Sequence, residues 1–409
     1  MLGGNDLIIQ VIITLGIILV VGYLSGKLSH IIGLPRITGY LLAGLFLNPS
    51  LLSLIQKDTV EVLNIITPVI LGMISCMIGG GLKKEALQQL GKEIAGITIF
   101  QGLMPFVLSF ALIIFLGIYA VGFTDASFLK TYLPMALVIG AISISSAPAA
   151  IVAIIHECKA KGNVTTTVLA VLAITDVVTV IIFSLALGFA QTMANGSQNT
   201  KLYMIIAEPL LHILASIITG IVSGYLIVWM TRLIKTRFLI LFTTIAAILI
   251  VTVLAEAAGL SSIILNMTAG FLVINKAGDE TTFSTLAEIE DVPFLLFFVL
   301  NGMNIDFQAI GASLILTILV MFGRKTGKYL GASFGARIVN APDELRKYPG
   351  MLLLPKAGLS LGLAFIAKEA LPSFGIIILN AIILSTLINM LVTPPLAKYA
   401  LAKAGENNR

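Results

Sequence analysis

Val171-Leu-Ala-Ile-Thr-Asp-Val-Val-Thr-Val-Ile-Ile182 places one carboxylate, Asp176, in the middle of an apolar run. The run extends over residues 164–192, longer than the about 20 residues that cross the hydrocarbon core of a bilayer. An ionisable group at that depth is costly, so it faces a cavity, a cation or a basic partner. The rest of the chain has the same character. Of its 409 residues 58% are hydrophobic and only 11% charged, with a mean hydropathy of +1.06. An ordinary soluble domain is about half apolar and about a quarter charged. The composition excludes a soluble enzyme, a disordered chain and a nucleic-acid binder. Alternating segments of about ten residues, the mark of a membrane barrel, are absent. No connection between apolar segments is long enough for an enzymatic domain outside the membrane. The fold class that follows is an all-α polytopic membrane protein.

Thirteen spans are expected, near 7–26, 31–49, 62–80, 94–119, 131–155, 164–192, 203–231, 238–258, 260–275, 292–304, 309–336, 349–367 and 373–397. Asp6 precedes the first and no Lys or Arg does, so it reads as a span and not as a cleaved leader. With this count, 17 of the 25 Lys and Arg residues fall on one side of the membrane and 4 on the other, while Arg324, Lys325, Lys328 and Lys356 lie within spans. Basic loops stay inside, which predicts an outside N-terminus and a cytoplasmic C-terminus. The net charge of +5 is then a property of orienting loops rather than a sign of an anionic partner.

Besides Asp176, the candidate functional residues are the buried cations and two interrupted spans. Arg324 and Lys328 are four apart and share a helix face; position alone does not choose between them as the partner of Asp176. Gly327, Gly331 and Gly335 recur every four residues, a spacing that admits a second helix closely. Ser143-Ile-Ser-Ser-Ala-Pro-Ala-Ala150 in the fifth span and Leu354-Pro-Lys-Ala-Gly-Leu-Ser-Leu-Gly362 in the twelfth contain Pro148 and Pro355. Proline removes a backbone donor and clashes with the preceding turn. Paired breaks in two halves of a chain point to a transporter site, and the hydroxyls of Ser145 and Ser146 can satisfy freed carbonyls or coordinate an ion. The competing reading of Asp176, a salt bridge that merely orders the bundle, is weak because buried pairs contribute little net stability.

Other signals point nowhere in particular. Gly358-Leu-Ser360-Leu-Gly362 has the spacing of a nucleophile elbow but lacks its strand–turn–helix setting and a His base. His30, His156 and His212 lie near span ends without metal-ligand spacing. Glu208 and Glu256 read as interfacial, and Cys76 and Cys158 as too few for a disulfide framework. Asn195-Gly-Ser197 is a polar outside loop. No phosphate-binding loop is present, so no nucleotide chemistry and no cofactor is expected.

Four stretches together resemble the monovalent cation/proton antiporter superfamily, the sodium/proton exchanger type. They are Leu34-Pro-Arg-Ile-Thr-Gly-Tyr-Leu-Leu-Ala-Gly-Leu45, Phe297-Phe-Val-Leu-Asn-Gly-Met-Asn-Ile-Asp306, Gly327-Lys-Tyr-Leu-Gly-Ala-Ser-Phe-Gly-Ala-Arg337 and Leu354-Pro-Lys-Ala-Gly358. The resemblance implies two inverted repeats with crossed discontinuous helices. It implies an ion-translocating core over about 94–192 and 309–397, and a scaffold over about 1–93 and 203–304 that makes a homodimer. It places Asp176 on the family's essential aspartate and Lys328 on its basic residue, favouring Lys328 over Arg324. Two departures stand out: Thr175 occupies a position that is Asp or Asn in many members, and Ser146-Ala-Pro148 lacks the carboxylate of some. The site is therefore expected to have one carboxylate, helped by Thr175, Ser145 and Ser146. Lys356 is expected to offset carbonyl ends at its break.

The activity implied is exchange of protons for a monovalent cation, Na⁺ foremost with K⁺ or Li⁺ as alternatives, by alternating access and without ATP. A single carboxylate suggests electroneutral exchange in a prokaryotic cell membrane. The nearest alternative is a potassium/proton efflux transporter with a separate regulatory subunit. A cation channel ranks below it because of the paired breaks, and a hydrolase using Ser360 ranks last.

Overall fold

The computed structural model describes residues 4–406 apart from 33, 35, 53–54, 81–90, 122–127, 196–201, 235, 278–283, 287, 308–309 and 357. The described chain is helical. Along it run α1 (Gly4–Ile31), α2 (Arg36–Phe46), α3 (Lys57–Asn64), α4 (Thr67–Gly80), α5 (Lys92–Val121), α6 (Leu133–Ser143), α7 (Pro148–Glu157), α8 (Asn163–Asn195), α9 (Leu202–Arg232), α10 (Arg237–Ala257), α11 (Ser262–Ala277), α12 (Asp291–Met303), α13 (Ile310–Ile338), α14 (Gly358–Ala370) and α15 (Gly375–Lys403). Among the described residues, six helices are long and apolar enough to cross a membrane: α1, α5, α8, α9, α10 and α15. Shorter apolar helices include Arg36–Phe46 and Asp291–Met303. α13 has the length of a span, but Arg324, Lys325 and Lys328 lie in its middle.

Three of the expected spans are not continuous helices. The fifth and twelfth are interrupted where Pro148 and Pro355 fall. The third begins with a bend that the sequence reading did not include: α3 and α4 meet at 43°, across Ile65 and Ile66, with Pro68 in the first turn of α4. Asn195 closes α8, and the rest of the Asn-Gly-Ser sequon lies outside the described residues, as does the side chain of Glu208. His30 and His212 are exposed, and among the described residues no cluster of three metal-ligating side chains occurs.

The chain divides into two compact units, Met1–Glu85 with Leu210–Ile305, and Ala86–Pro209 with Asp306–Arg409. In the first, helices touch backbone to backbone. A Cβ on Gly270 of α11 would stand 1.9 Å from the Cys76 carbonyl of α4, and only a glycine allows that approach. Asn48 caps the end of α12 by donating to the Met303 and Ile305 carbonyls at 2.9 and 2.8 Å.

In the second unit, a long helix, an interrupted helix and a long helix follow one another twice: α5, α6/α7, α8, and then α13, a short turn at Pro349–Leu352 leading to α14, and α15. The glycines of α13 lie against α5. A Cβ on Gly327 would sit 2.3 Å from Pro105 Cα, one on Gly331 2.2 Å from the Phe100 carbonyl, and one on Gly335 2.2 Å from the Gly96 carbonyl. This close pairing holds the cations of α13 beside the breaks.

Candidate functional site

α6 ends at Ser143. Its last amides tighten, with Ile144 and Ser145 donating to the Ala141 and Ile142 carbonyls, and α7 restarts at Pro148. Proline at a first helical position loses nothing, since that N–H has no partner in a helix. The residues between leave carbonyls with no helical donor. A helix end buried without partners is unstable, and here side chains from other helices supply them.

Arg324 of α13 serves both breaks at once. Its guanidinium donates to the Ser145 carbonyl at 2.7 Å, to the Leu354 carbonyl at 2.6 Å and to the Pro355 carbonyl at 3.3 Å. A planar fork suits this, because it carries its donors on two separate nitrogens of one stem. The breaks also bind each other directly: Ser146 Oγ donates to the Leu353 carbonyl at 3.1 Å, and the Ser145 and Ser360 hydroxyls share a hydrogen bond. Asn389 of α15 adds a second donor to the Leu354 carbonyl at 2.9 Å.

Lys328, one turn further along α13, is fully buried. Its ammonium donates to the Ile144 carbonyl, to Gln101 Oε1 and, at 3.0 Å, to Ser146 Oγ. Gln101 of α5 passes the connection on, donating from Nε2 to Thr175 Oγ1 at 2.7 Å. Thr175 in turn donates to the Val171 carbonyl within α8 at 2.7 Å. A continuous polar chain thus runs from Lys328 through Gln101 to the residue beside Asp176.

Asp176 is 1% exposed, and neither carboxylate oxygen has a hydrogen-bond partner among the described residues. Among the described residues no ion pair joins it to Lys328. The ion pairs among the described residues involve exposed or half-exposed side chains such as Arg36 with Asp291 and Arg237 with Glu288. The bundle-ordering salt bridge weighed against a functional Asp176 is therefore not formed. A buried, unpaired carboxylate is expensive, and a proton or a cation on its oxygens relieves that cost.

The structure brings Asp176, Thr175, Ser145, Ser146, Lys328, Arg324 and Pro148 into one site. The hydroxyls of Thr175, Ser145 and Ser146 are engaged with backbone or side chains, whereas the Asp176 oxygens have no partner among the described residues. Pro355 contributes its carbonyl to Arg324. Among the described residues, Lys356 makes no hydrogen bond to a carbonyl of its break. It donates to Ser385 Oγ at 3.0 Å, and Arg324 takes the carbonyls in its place. Ser360 shares its hydrogen bond with Ser145, and no histidine bonds to it among the described residues. Gln101, Asn389 and Ser385 were missed by sequence reasoning. Their signal was a lone amide or hydroxyl in an apolar span, too common to single out.

The family described as "Sodium/hydrogen exchanger, transmembrane" matches residues 16–399. The chain is 25% identical over 404 residues to the Na⁺/H⁺-K⁺ antiporter GerN of Bacillus cereus, covering 94% of this chain and 95% of that one. It is 24% identical over 393 residues to the probable Na⁺/H⁺ antiporter 3 of Methanocaldococcus jannaschii, covering 95% of each. Among solved structures, the sodium proton antiporter MjNhaP1 of Methanocaldococcus jannaschii at pH 8 superposes with a TM-score of 0.72 at 18% identity, over 97% of this chain and 99% of that one; at that identity the likeness speaks for the fold. This is a multi-pass membrane protein, and it belongs to the transmembrane sodium/hydrogen exchanger family.

Proposed function

We propose that the chain is a secondary antiporter exchanging protons for a monovalent cation, Na⁺ foremost, at the single carboxylate of Asp176. The observation that carries this reading is the burial of Asp176 with both oxygens free, beside a buried ammonium and two interrupted helices. A proton on the carboxylate leaves a neutral acid, and a cation on it leaves a neutral pair. Either species can be carried across the low-dielectric interior, whereas the bare carboxylate cannot. Competition for one group then couples the two flows without ATP. Lys328 compensates the carboxylate when neither ion is present. Its hydrogen bonds to Gln101, Ser146 and the Ile144 carbonyl fix where that charge stands.

The unit Ala86–Pro209 with Asp306–Arg409 is the translocating core in this reading, and the other unit the scaffold through which two copies form a homodimer. The repeated long–interrupted–long order supports thirteen spans built as two inverted repeats, with the N-terminus outside and the C-terminus in the cytoplasm. One carboxylate per copy favours one-for-one, electroneutral exchange. Potassium remains a second cargo because the relative GerN is named for both cations.

The test is proton flux in sealed proteoliposomes, read by a pH-sensitive dye on addition of Na⁺, K⁺ or Li⁺. The wild type is expected to respond to a cation, and Asp176→Asn to be silent while remaining folded. A response that survives in Asp176→Asn would sink the assignment.

A further inference from the structure

The helix that carries Asp176 begins with an unusual cap. α8 starts at Asn163, and the amides of its first turn need acceptors from elsewhere. An ordinary cap is a side-chain oxygen at the residue just before the helix, bonded to the second or third helical amide. That residue here is Gly162, which has no side chain. The oxygens come instead from Glu406, more than 240 residues away. Its Oε1 accepts from the Val164 N–H at 2.7 Å, and its Oε2 from the Thr165 N–H at 2.9 Å and the Thr165 hydroxyl at 2.7 Å. The Glu406 carbonyl also accepts from the Lys161 N–H at 3.3 Å.

Two further features fit the same contact. After α15 the chain reverses at Gly405, whose φ of +72° lies in the left-handed region, and the Glu406 N–H returns to the Leu401 carbonyl at 3.1 Å. This is the glycine-terminated helix end that satisfies the last carbonyls, and it aims Glu406 back at α8. On the other side, a Cβ on Gly162 would stand 2.3 Å from Glu406 Oε1. Gly162 thus leaves the space the carboxylate fills. Glu406 is 7% exposed, and beneath the contact Val164, Val168, Ala397, Ala400 and Leu401 pack in one apolar cluster.

We propose that Glu406 is a positioning residue for ion exchange, a clasp that fixes the start of the Asp176 helix to the end of α15. The same clasp holds the segment 158–162 that leads from α7 into α8, so the second half of the first interrupted helix, the Asp176 helix and α15 are tied at one point. From there α8 runs unbroken to Thr175, where its register sets the bond from Gln101 and the placement of Asp176. A carboxylate suits this position, because the N-terminus of a helix carries partial positive charge. The inference rests on the antiport reading of Asp176.

The test compares wild type, Glu406→Ala, and the double variant Glu406→Ala with Gly162→Asp. The double variant restores a local cap to α8 and leaves the tie to α15 cut. Melting temperature in detergent and cation-evoked proton flux in proteoliposomes are read for each. Glu406→Ala should melt lower, and the cation concentration giving half-maximal flux should rise roughly tenfold, the scale of losing a group that orients a metal ligand. In the double variant the melting temperature should recover while the half-maximal concentration stays raised. If both recover, the contact is only a helix cap and the inference is overturned. An unshifted half-maximal concentration in Glu406→Ala overturns it equally. A wild type with no cation-evoked flux overturns the antiport reading and takes this one with it.

Discussion

Lys328 and Arg324 stand one helical turn apart and do different work, a difference the spacing of the two residues cannot reveal. Lys328 gathers Gln101, Ser146 and the Ile144 carbonyl around a compact charge near Asp176. Arg324 spreads a planar fork over carbonyls of both breaks. The sequence left the choice between them open because it shows where charges are and not which oxygens they meet. Two outcomes follow. Gln101→Leu removes the link from Lys328 to Thr175 and leaves a buried ammonium short of an acceptor. We expect folded protein and a flux reduced roughly tenfold in proteoliposomes, as for loss of a group supporting a metal ligand. Arg324→Lys keeps the charge but gathers its donors on one nitrogen, whereas Arg324 spreads them over two to reach carbonyls of separate breaks. Each buried acceptor left bare costs about 1–3 kcal/mol, so this variant should unfold at clearly lower temperature in detergent, and Arg324→Met at least as low. A melting temperature equal to wild type in both would show that the breaks hold without the fork.

At the scale of elements, the legible features were those with a strong chemical contrast. Asp176 in an apolar run, proline within two spans, and glycine every fourth residue on α13 all mark positions where an ordinary span has neither charge nor break. The structure places Pro148 at the restart of one interrupted helix, Pro355 within the other break, and the glycines against α5. The bend between α3 and α4 was not legible. Pro68 falls where proline is tolerated in the first turn of a helix, so the apolar run reads straight through it. Glu406 was invisible for a different reason: its partners, the Val164 and Thr165 amides and the Thr165 hydroxyl, are remote in sequence, and no local side-chain pattern encodes them. The glycine stripe gives a prediction at this scale. Gly327→Val sets new atoms against the Pro105 backbone, which cannot rotate away, so α5 and α13 must part. Overpacking of this kind costs about 1–3 kcal/mol or more, and folded protein recovered by size-exclusion chromatography should fall sharply. Gly311→Val on the same helix meets nothing within 4 Å and should be recovered as wild type. Equal recovery of the two variants would mean that the close approach of α5 and α13 is not required.

At the scale of the molecule, the number of ionisable groups in the site governs how transport responds to voltage. In the proposed site the described residues supply one buried carboxylate, Asp176, and the buried cation Lys328 is held by three oxygen acceptors. If Lys328 keeps its proton through the cycle, each turnover exchanges one proton for one cation and moves no net charge. Net flux then stops when the cation ratio across the membrane equals the proton ratio, whatever the potential. If Lys328 gives up a proton as the cation binds, one charge moves per cycle. The field then contributes about 2.3 kcal/mol per 100 mV, a shift of roughly fifty-fold in the cation ratio at balance. Proteoliposomes with Na⁺ as the test cation, clamped at 0 and −100 mV by valinomycin and K⁺, distinguish the two cases. We expect the balance point to be the same at both potentials, within the scatter of the dye. A displacement toward fifty-fold would assign Lys328 a transported proton and make the exchange electrogenic. Lys328→Gln would then be expected to abolish the voltage dependence, while Asp176→Asn abolishes flux at either potential.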